Sequence, residues 1–498
     1  LRAGFRQVAG IEQPVQVIAE GVQLPWREED LTDEPGHAAW VRSERIAVEE
    51  RAQRFDLGKP PLLKVLLLRL GAGRYRLVIT MHHLVLDGWS LPILLREVWA
   101  AYAAGGSGGG LPAVTPYREY LGWLARQDKD AARVAWSRML AGTEEPTLVA
   151  PADPARSPGE TAYVGAELPP PLAQELTRLA RDADVTLNTV LQTVWALVVG
   201  GLTGRRDVVF GATVAGRPAE LPGMEDMLGL FINTIPVRVR FDPARTVAEL
   251  FADLQAEQSA LLDHQHLGLT EIQRLTGPGA GFDTLLAFEN FPGDPEVPAA
   301  LDSIRMTGAG MRESTNFALA LGVDASDLKL RLDYRLDLFD RREAERIVGR
   351  LVRVLEQVAA DPQVRLSEID VLSAGERALV VGQWNATARP VRSETVTERI
   401  GAWAARTPGA VAVRCGSDAI SYGELEARSN RLARCLRGLG IGPESRVGLR
   451  LPRGIDMIVS MLAVWKAGGA YVPLDPEYPA DRLEFMTADS DASVVIDA

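Results

Sequence analysis

The sequence predicts a mixed α/β protein made of two blocks of similar size and a third, shorter α/β segment. Three observations carry this. Strand-length runs rich in Val, Leu and Ile alternate with helix-periodic stretches over residues 1–370. Turn-rich stretches interrupt that pattern at 151–158, which contains two Asp/Ser-Pro steps, and again at 371–394. Beyond 394 the composition shifts to Ala-rich helix alternating with short Val/Ile strands, the patterning of an α/β layer. The expected units are 1–155, 156–370, a linker over 371–394, and 395–498.

Within the first block, residues 1–20 alternate enough to form strands, and 39–54 are rich in Glu, Arg and Ala and read as helix. The runs 62–69 and 75–81 flank a Gly-Ala-Gly turn and read as a hairpin. Ser90 is placed to cap a helix over 91–102, and a second helical region covers 117–140. In the second block, helices are expected over 171–182, 187–199 (capped by Thr186), 247–262 and 341–359. Strands are expected over 207–212, 231–240, 317–323 and 328–334. In the third, the strands are 411–414, 446–449 and 470–472. The opening LRAGF reads like the interior of a domain and 492–498 like a strand in mid-sheet, so a piece of a longer chain is expected.

Composition narrows the function classes. With 47% apolar and 24% charged residues, the chain can bury a sizeable core. A formal charge of −12 argues against a general nucleic-acid binder, which needs basic surface. No apolar run reaches the ~18 residues of a membrane helix and no secretory signal opens the chain, so a cytoplasmic protein with no membrane partner is expected. The two cysteines, Cys415 and Cys435, have no CxxC spacing. With five histidines in all, no metal site is expected.

Two of those histidines are adjacent. The run HHLVLDG at 82–88 follows directly on a predicted strand. A neutral imidazole delivered into an Asp-Gly turn can take a proton from an attacking amine or hydroxyl near pH 7. Gly88 lets the backbone pass close to a ligand. Side chains alternate along a strand, so one His can face a cavity while the other packs. The chain has no Gly-x-Ser-x-Gly elbow and no cysteine near the pair, which points to direct attack of one bound substrate on another without a covalent acyl-enzyme. Asp87 is read as structural. A buried carboxylate needs a partner, and Arg2 is the candidate if the first five residues run beside this loop.

At these residues the chain resembles a known family. HHLVLDGWS at 82–90 is similar to the signature of condensation domains of non-ribosomal peptide synthetases. In the same order, LRAGF at 1–5, GLFINTIPVRV at 229–239, DHQHLGLTEI at 263–272 and FDTLLAFENFP at 282–292 resemble further elements of that family. Residues 395–498 resemble the start of an adenylation domain, through ISYGELEARSNRLA at 420–433 and VWKAGGAYVPLDPEYP at 464–479. The phosphate-cradling loop of that family is not within these residues, and Lys466 with Asp475 reads as surface and turn rather than as a functional pair.

The resemblance implies two chloramphenicol-acetyltransferase-like lobes in a V-shaped pseudo-dimer, followed by an incomplete adenylation subdomain. It implies amide formation between thioesters held on phosphopantetheine arms of donor and acceptor carrier domains, the chain itself binding no cofactor. It assigns the chemistry to His83, with His82 as its packing neighbour and Gly88 in the turn, and pairs Arg2 with Asp87. Trp89, Ser90, Asn233 and Thr234 would line the tunnel, although Asn233 and Thr234 read equally well as buried strand-end polar groups. The motif variants look closer to members that accept a D-configured donor, which implies an epimerisation domain upstream. An epimerase and a non-catalytic recruitment platform are the alternative readings. The remainder of the adenylation domain is a further expected partner.

Overall fold

The computed structural model describes residues 1–11, 14–106, 110–151, 159–290, 304–312 and 315–497. Most of the expected 151–158 linker, the centre of the glycine loop near 105–110 and the last two residues of FDTLLAFENFP lie outside the described residues. The chain divides into two compact units, Leu1–Gln383 and Trp384–Ala498.

The first unit opens with a two-stranded ribbon, β1 (Ala3–Arg6) against β2 (Val15–Ile18). A three-stranded sheet follows, in the order β3 (Trp26–Asp30), β4 (Leu63–Gly71), β5 (Arg74–Met81), with α1 (Gly36–Ala52) packed on it. The expected β4–β5 hairpin forms around Gly71, Ala72 and Gly73, all at positive φ, where two glycines remove the Cβ penalty. Its register pairs Leu63 with Met81, and the His82 N–H still donates to the Leu62 carbonyl at 2.9 Å. The His pair therefore sits at the end of a sheet strand. Then come α2 (Ser90–Ala103), α3 (Tyr117–Ala125) and α4 (Lys129–Met139). The helical region expected over 117–140 is thus two helices, because the Asp128 carboxylate accepts from the Ala131 N–H and starts a new one.

A six-stranded mixed sheet organises the rest. Its elements are β6 (Thr161–Glu167), α5 (Pro170–Asp182), α6 (Leu187–Thr203), β7 (Asp207–Val214), β8 (Asn233–Arg240), α7 (Val247–Leu261), α8 (Leu269–Thr276), β9 (Thr284–Glu289), β10 (Leu319–Asp324), β11 (Lys329–Arg335) and α9 (Arg341–Ala360). The strand order is β6-β11-β10-β9-β7-β8. Helix α6 starts at the Thr186 cap, ends at Gly204 in the left-handed conformation, and is buried on all sides from Thr189 to Gly200. That explains why its sequence is apolar all round rather than striped. Helix α9 has the striped pattern, burying Ala344, Ile347, Val348, Leu351, Val354, Leu355 and Val358 against the sheet, with an Asp340/Glu343 capping box at its start.

Helices α3 and α4 both pack across the expected block boundary, α3 through Tyr120 with Met224, Met227 and Phe231. Helix α4 lies before residue 155, yet Trp136 packs with Val209, Ile235, Leu261, Leu267 and Ile272, and its Nε1–H donates to the His264 carbonyl at 2.9 Å. The bridge between Thr147 and Phe282 then carries the chain along the large sheet.

The second unit contains a three-stranded parallel sheet, Ala470–Pro473, Arg446–Arg450 and Val494–Asp497, with the helices Tyr422–Gly438 and Ile455–Ala467 packed around Val447 and Leu449. Lys466 is largely buried and donates to Glu426, Ser429 and Asn430, while Asp475 accepts from the Glu477 N–H. Lys466 and Asp475 do not form a pair; the lysine belongs to a helix-to-helix clamp. Among the described residues, no single helix is long and apolar enough to cross a membrane.

Trp136 anchors a helix contributed by the first block into the core of the second. We expect Trp136→Ala to lower stability by about 3–5 kcal/mol, the range for truncating a fully buried tryptophan. Urea unfolding followed by hydrogen exchange in α4 would check this, with α4 losing protection first.

Candidate active site

The site is built on the turn between β5 and α2. Val85 and Leu86 are buried with Ala3 and Leu62, which pins the middle of the turn. The two imidazoles at its start part company. His82 is half-buried, meets the edge of Phe55 with ring centroids 6.2 Å apart, and accepts from the Leu84 N–H through Nδ1 at 3.2 Å. Burial, and secondarily the neighbouring His83, hold its pKa below the ordinary value, so it is neutral at pH 7. His83 is exposed, and its Nδ1 lies 3.3 Å from the Leu86 carbonyl. A carbonyl only accepts, so in this contact Nδ1 is the donor.

At the other end of the turn, Asp87 is 1% exposed. One carboxylate oxygen accepts from the Ser90 N–H (2.9 Å) and lies 2.7 Å from the Ser90 hydroxyl. The other accepts from the Phe231 N–H at 3.0 Å. Its ion pair is with Arg217, at 3.4 Å. Arg217 also donates to the carbonyls of Met224 (2.5 Å) and Met227 (3.1 Å) and to the Ser90 hydroxyl (3.2 Å). Its guanidinium lies over the Phe231 ring at 4.1 Å and near the Trp89 ring at 5.6 Å.

The backbone of the turn is tied to the same segment. The Asp87 N–H donates to the Gly229 carbonyl at 3.0 Å, and the Gly229 N–H donates to the Ser90 hydroxyl at 3.1 Å. Two glycines make this approach possible. A Cβ on Gly229 would lie 2.3 Å from the Tyr117 ring, and one on Gly216, whose φ is +58°, would lie 1.9 Å from the Phe231 carbonyl oxygen. Tyr117 donates to the Leu230 carbonyl at 2.7 Å. Burial raises the pKa of Tyr117 and Tyr120 above the ordinary value, Asp87 adding to it, so both phenols stay protonated.

Several expected roles change here. The first residues do run beside the turn, since Ala3 packs with Val85 and Leu86. Arg2 nevertheless does not pair with Asp87. Strand alternation turns Ala3 inward and leaves Arg2 exposed, and the cation that reaches Asp87 comes from the segment after β7. Ser90 is neither a helix cap nor a wall residue. It is fully buried as the first residue of α2, and the Asp87 carboxylate accepts its N–H. Trp89 packs beside Arg217. The side-chain amide of Asn233 donates to the Gln265 and Leu267 carbonyls at 2.8 Å each, which is the strand-end role of the two left open. Thr234 sits opposite Thr213 in the β7–β8 pair. Gly88 is buried within the turn.

Sequence reasoning missed Arg217, and it gave residues 229–231 no part in anchoring the turn, which they take through backbone pairing. The available signal was Gly216-Arg217-Pro218 directly after an apolar strand. That places a cation at a strand end, which is where a buried carboxylate on another strand end finds one.

Residues 1–381 match the family described as "Condensation domain", and residues 400–498 match "AMP-binding enzyme". Bacitracin synthase 3 of Bacillus licheniformis is 36% identical over 508 residues, covering 100% of this chain and 8% of the relative. Tyrocidine synthase 3 of Brevibacillus parabrevis is 34% identical over 507 residues, covering 99% of this chain and 8% of the relative. The chain thus spans 8% of the length of each of these two relatives. The solved first condensation domain of the calcium-dependent antibiotic synthetase, in complex with a substrate analogue, superposes with a TM-score of 0.61 at 21% identity, covering 75% of this chain and 87% of that one. This likeness supports a two-lobed condensation fold.

Removing the cation from a buried pair strands the carboxylate. Arg217→Ala should cost about 3–5 kcal/mol of stability, whereas Arg2→Ala should leave the unfolding midpoint unchanged. Chemical denaturation of both variants distinguishes the partners directly.

Proposed function

Because the chain belongs to the condensation-domain family, with a partial AMP-binding region after it, we propose that it forms amide bonds between two carrier-bound thioesters in non-ribosomal peptide synthesis. The observation that carries this is the turn itself. An exposed imidazole, with its Nδ1 proton directed at a backbone carbonyl, stands on a loop locked at its far end by Asp87, Arg217 and Gly229.

In the proposed reaction, the acceptor's α-amine attacks the carbonyl carbon of the donor thioester. The C–N bond forms, the C–S bond breaks, and the donor arm leaves as a thiol. The proton that becomes acidic on the amine nitrogen passes to His83 Nε2 and from there to the departing sulfur. An α-amine with a reference pKa of ~8 is already about a tenth neutral at pH 7. His83 therefore orients the amine and accepts its proton during bond formation, rather than generating free amine beforehand. Such assistance is worth about 10²–10⁴-fold in rate. Holding two tethered reactants in line contributes as much or more. The carriers' phosphopantetheine arms supply the thioesters, and this chain's residues position and deprotonate the amine. The AMP-binding region directly downstream supports this order over an epimerase, because it sits where an activating domain would load the acceptor.

The test is single-turnover amide formation on preloaded donor and acceptor carriers. His83→Ala should slow it by about 10²–10⁴-fold with carrier binding retained. A wild-type rate in that variant would sink the assignment, and α-proton exchange without amide product would point to epimerisation instead. Running D- and L-terminated donors in parallel reads the donor preference, for which a D-configured terminus is expected.

A further inference from the structure

A second polar feature lies in the same unit, apart from the histidine turn. Strands β6 and β11 form one edge of the large sheet, with Tyr163 opposite Asp333 and Gly165 opposite Arg331. Alternation sends Val164, Leu330, Leu332 and Tyr334 into the core. The opposite face carries Tyr163, Arg331 and Asp333. Together with Thr161 and Ala162 on β6, Arg312 and Arg51 from the last turn of α1, these residues line a cavity of about 230 Å³. A helix of the first lobe and the polar face of the second lobe's sheet therefore meet around one space.

Its charge is unbalanced among the described residues. Asp333 binds Arg331 through both oxygens, at 2.9 and 2.8 Å, and so offsets one guanidinium. Arg331 and Arg312 flank the Tyr163 ring, at 4.6 and 4.9 Å from its centroid. Among the described residues, neither Arg51 nor Arg312 has a carboxylate within ion-pair reach. Among the described residues, three guanidiniums and one carboxylate stand around a space with room for a phosphate group and several waters. This occurs in a chain whose formal charge is −12, so the local excess of cation is against the trend of the sequence. Planar guanidiniums offer paired N–H donors that match phosphate oxygens, and stacking on a phenol ring fixes their planes.

We propose that Arg51, Arg312 and Arg331, around Tyr163, form a binding site for a phosphate group. The phosphate has two chemical sources, the ester at the end of a pantetheine arm or free phosphate. Arg331 orients the site through Asp333, and Arg51 and Arg312 supply the uncompensated charge. The site does not rest on the amide-forming reading, since binding is measured without turnover and in a chain also carrying His83→Ala.

The test titrates the full 498-residue chain with 4′-phosphopantetheine, with pantetheine lacking the phosphate, and with inorganic phosphate. Binding is followed by calorimetry, and each titration is repeated in Arg51→Ala/Arg312→Ala. Both side chains are exposed, so the double variant should unfold at the wild-type midpoint. The expected result is binding of the two phosphate-bearing probes, weakened at least about tenfold in the double variant and partly restored by Lys at both positions. Tighter binding of phosphopantetheine than of inorganic phosphate assigns the ester as the source, and equal binding assigns free phosphate. Equal binding of pantetheine with and without its phosphate, or affinities unchanged in the double variant, would overturn the proposal.

Discussion

The buried carboxylate of Asp87 is the constraint on which the rest of the site depends. A charge withdrawn from water must be met by a cation and by hydrogen bonds, or the fold loses several kcal/mol. Here the requirement is met from two directions. Ser90, three residues on, supplies the local donors, and Arg217 and the Phe231 N–H supply the distant ones. A single side chain therefore joins the histidine turn to the segment between β7 and β8. It does so in a setting where each partner's loss would leave another polar group unpaired.

That arrangement separates anchoring from chemistry along seven residues. The distal half of HHLVLDG is buried and saturated with bonds. The proximal half ends in an exposed imidazole whose Nδ1 lies 3.3 Å from a backbone carbonyl. Rigidity at one end gives position at the other, because the turn is too short to relax between them. The glycines at 216 and 229 belong to the same logic. They serve the close approach of two backbones, and a methyl at either would drive the segment off the turn.

Two buried or half-buried arginines of this acidic chain are neutralised locally. Arg217 is committed to Asp87 and to two backbone carbonyls, and Arg331 to Asp333. Among the described residues, Arg51 and Arg312 have no such carboxylate and line one space. The first unit thus holds an imidazole turn whose buried carboxylate is paired and, elsewhere, a pocket lined among the described residues by more guanidiniums than carboxylates.

The sequence alone determined the mixed α/β class, nearly every long helix, the β4–β5 hairpin and the position of the histidine pair at a strand end. These are local properties, set by apolar periodicity, caps and turn residues within a few positions of one another. The order of motifs also marks the family, independently of any tertiary contact. Tertiary structure decided which groups meet. The partner of Asp87 is Arg217 rather than Arg2, because strand alternation exposes Arg2 even though its neighbour Ala3 packs against the same turn. Helix α4 packs with residues of the expected second block because Trp136 finds its apolar partners there, which no boundary drawn from composition could reveal. Sequence periodicity states which face of an element is apolar. It does not state which distant polar group lies within hydrogen-bonding reach of a buried charge, since that depends on how the strands and helices are stacked.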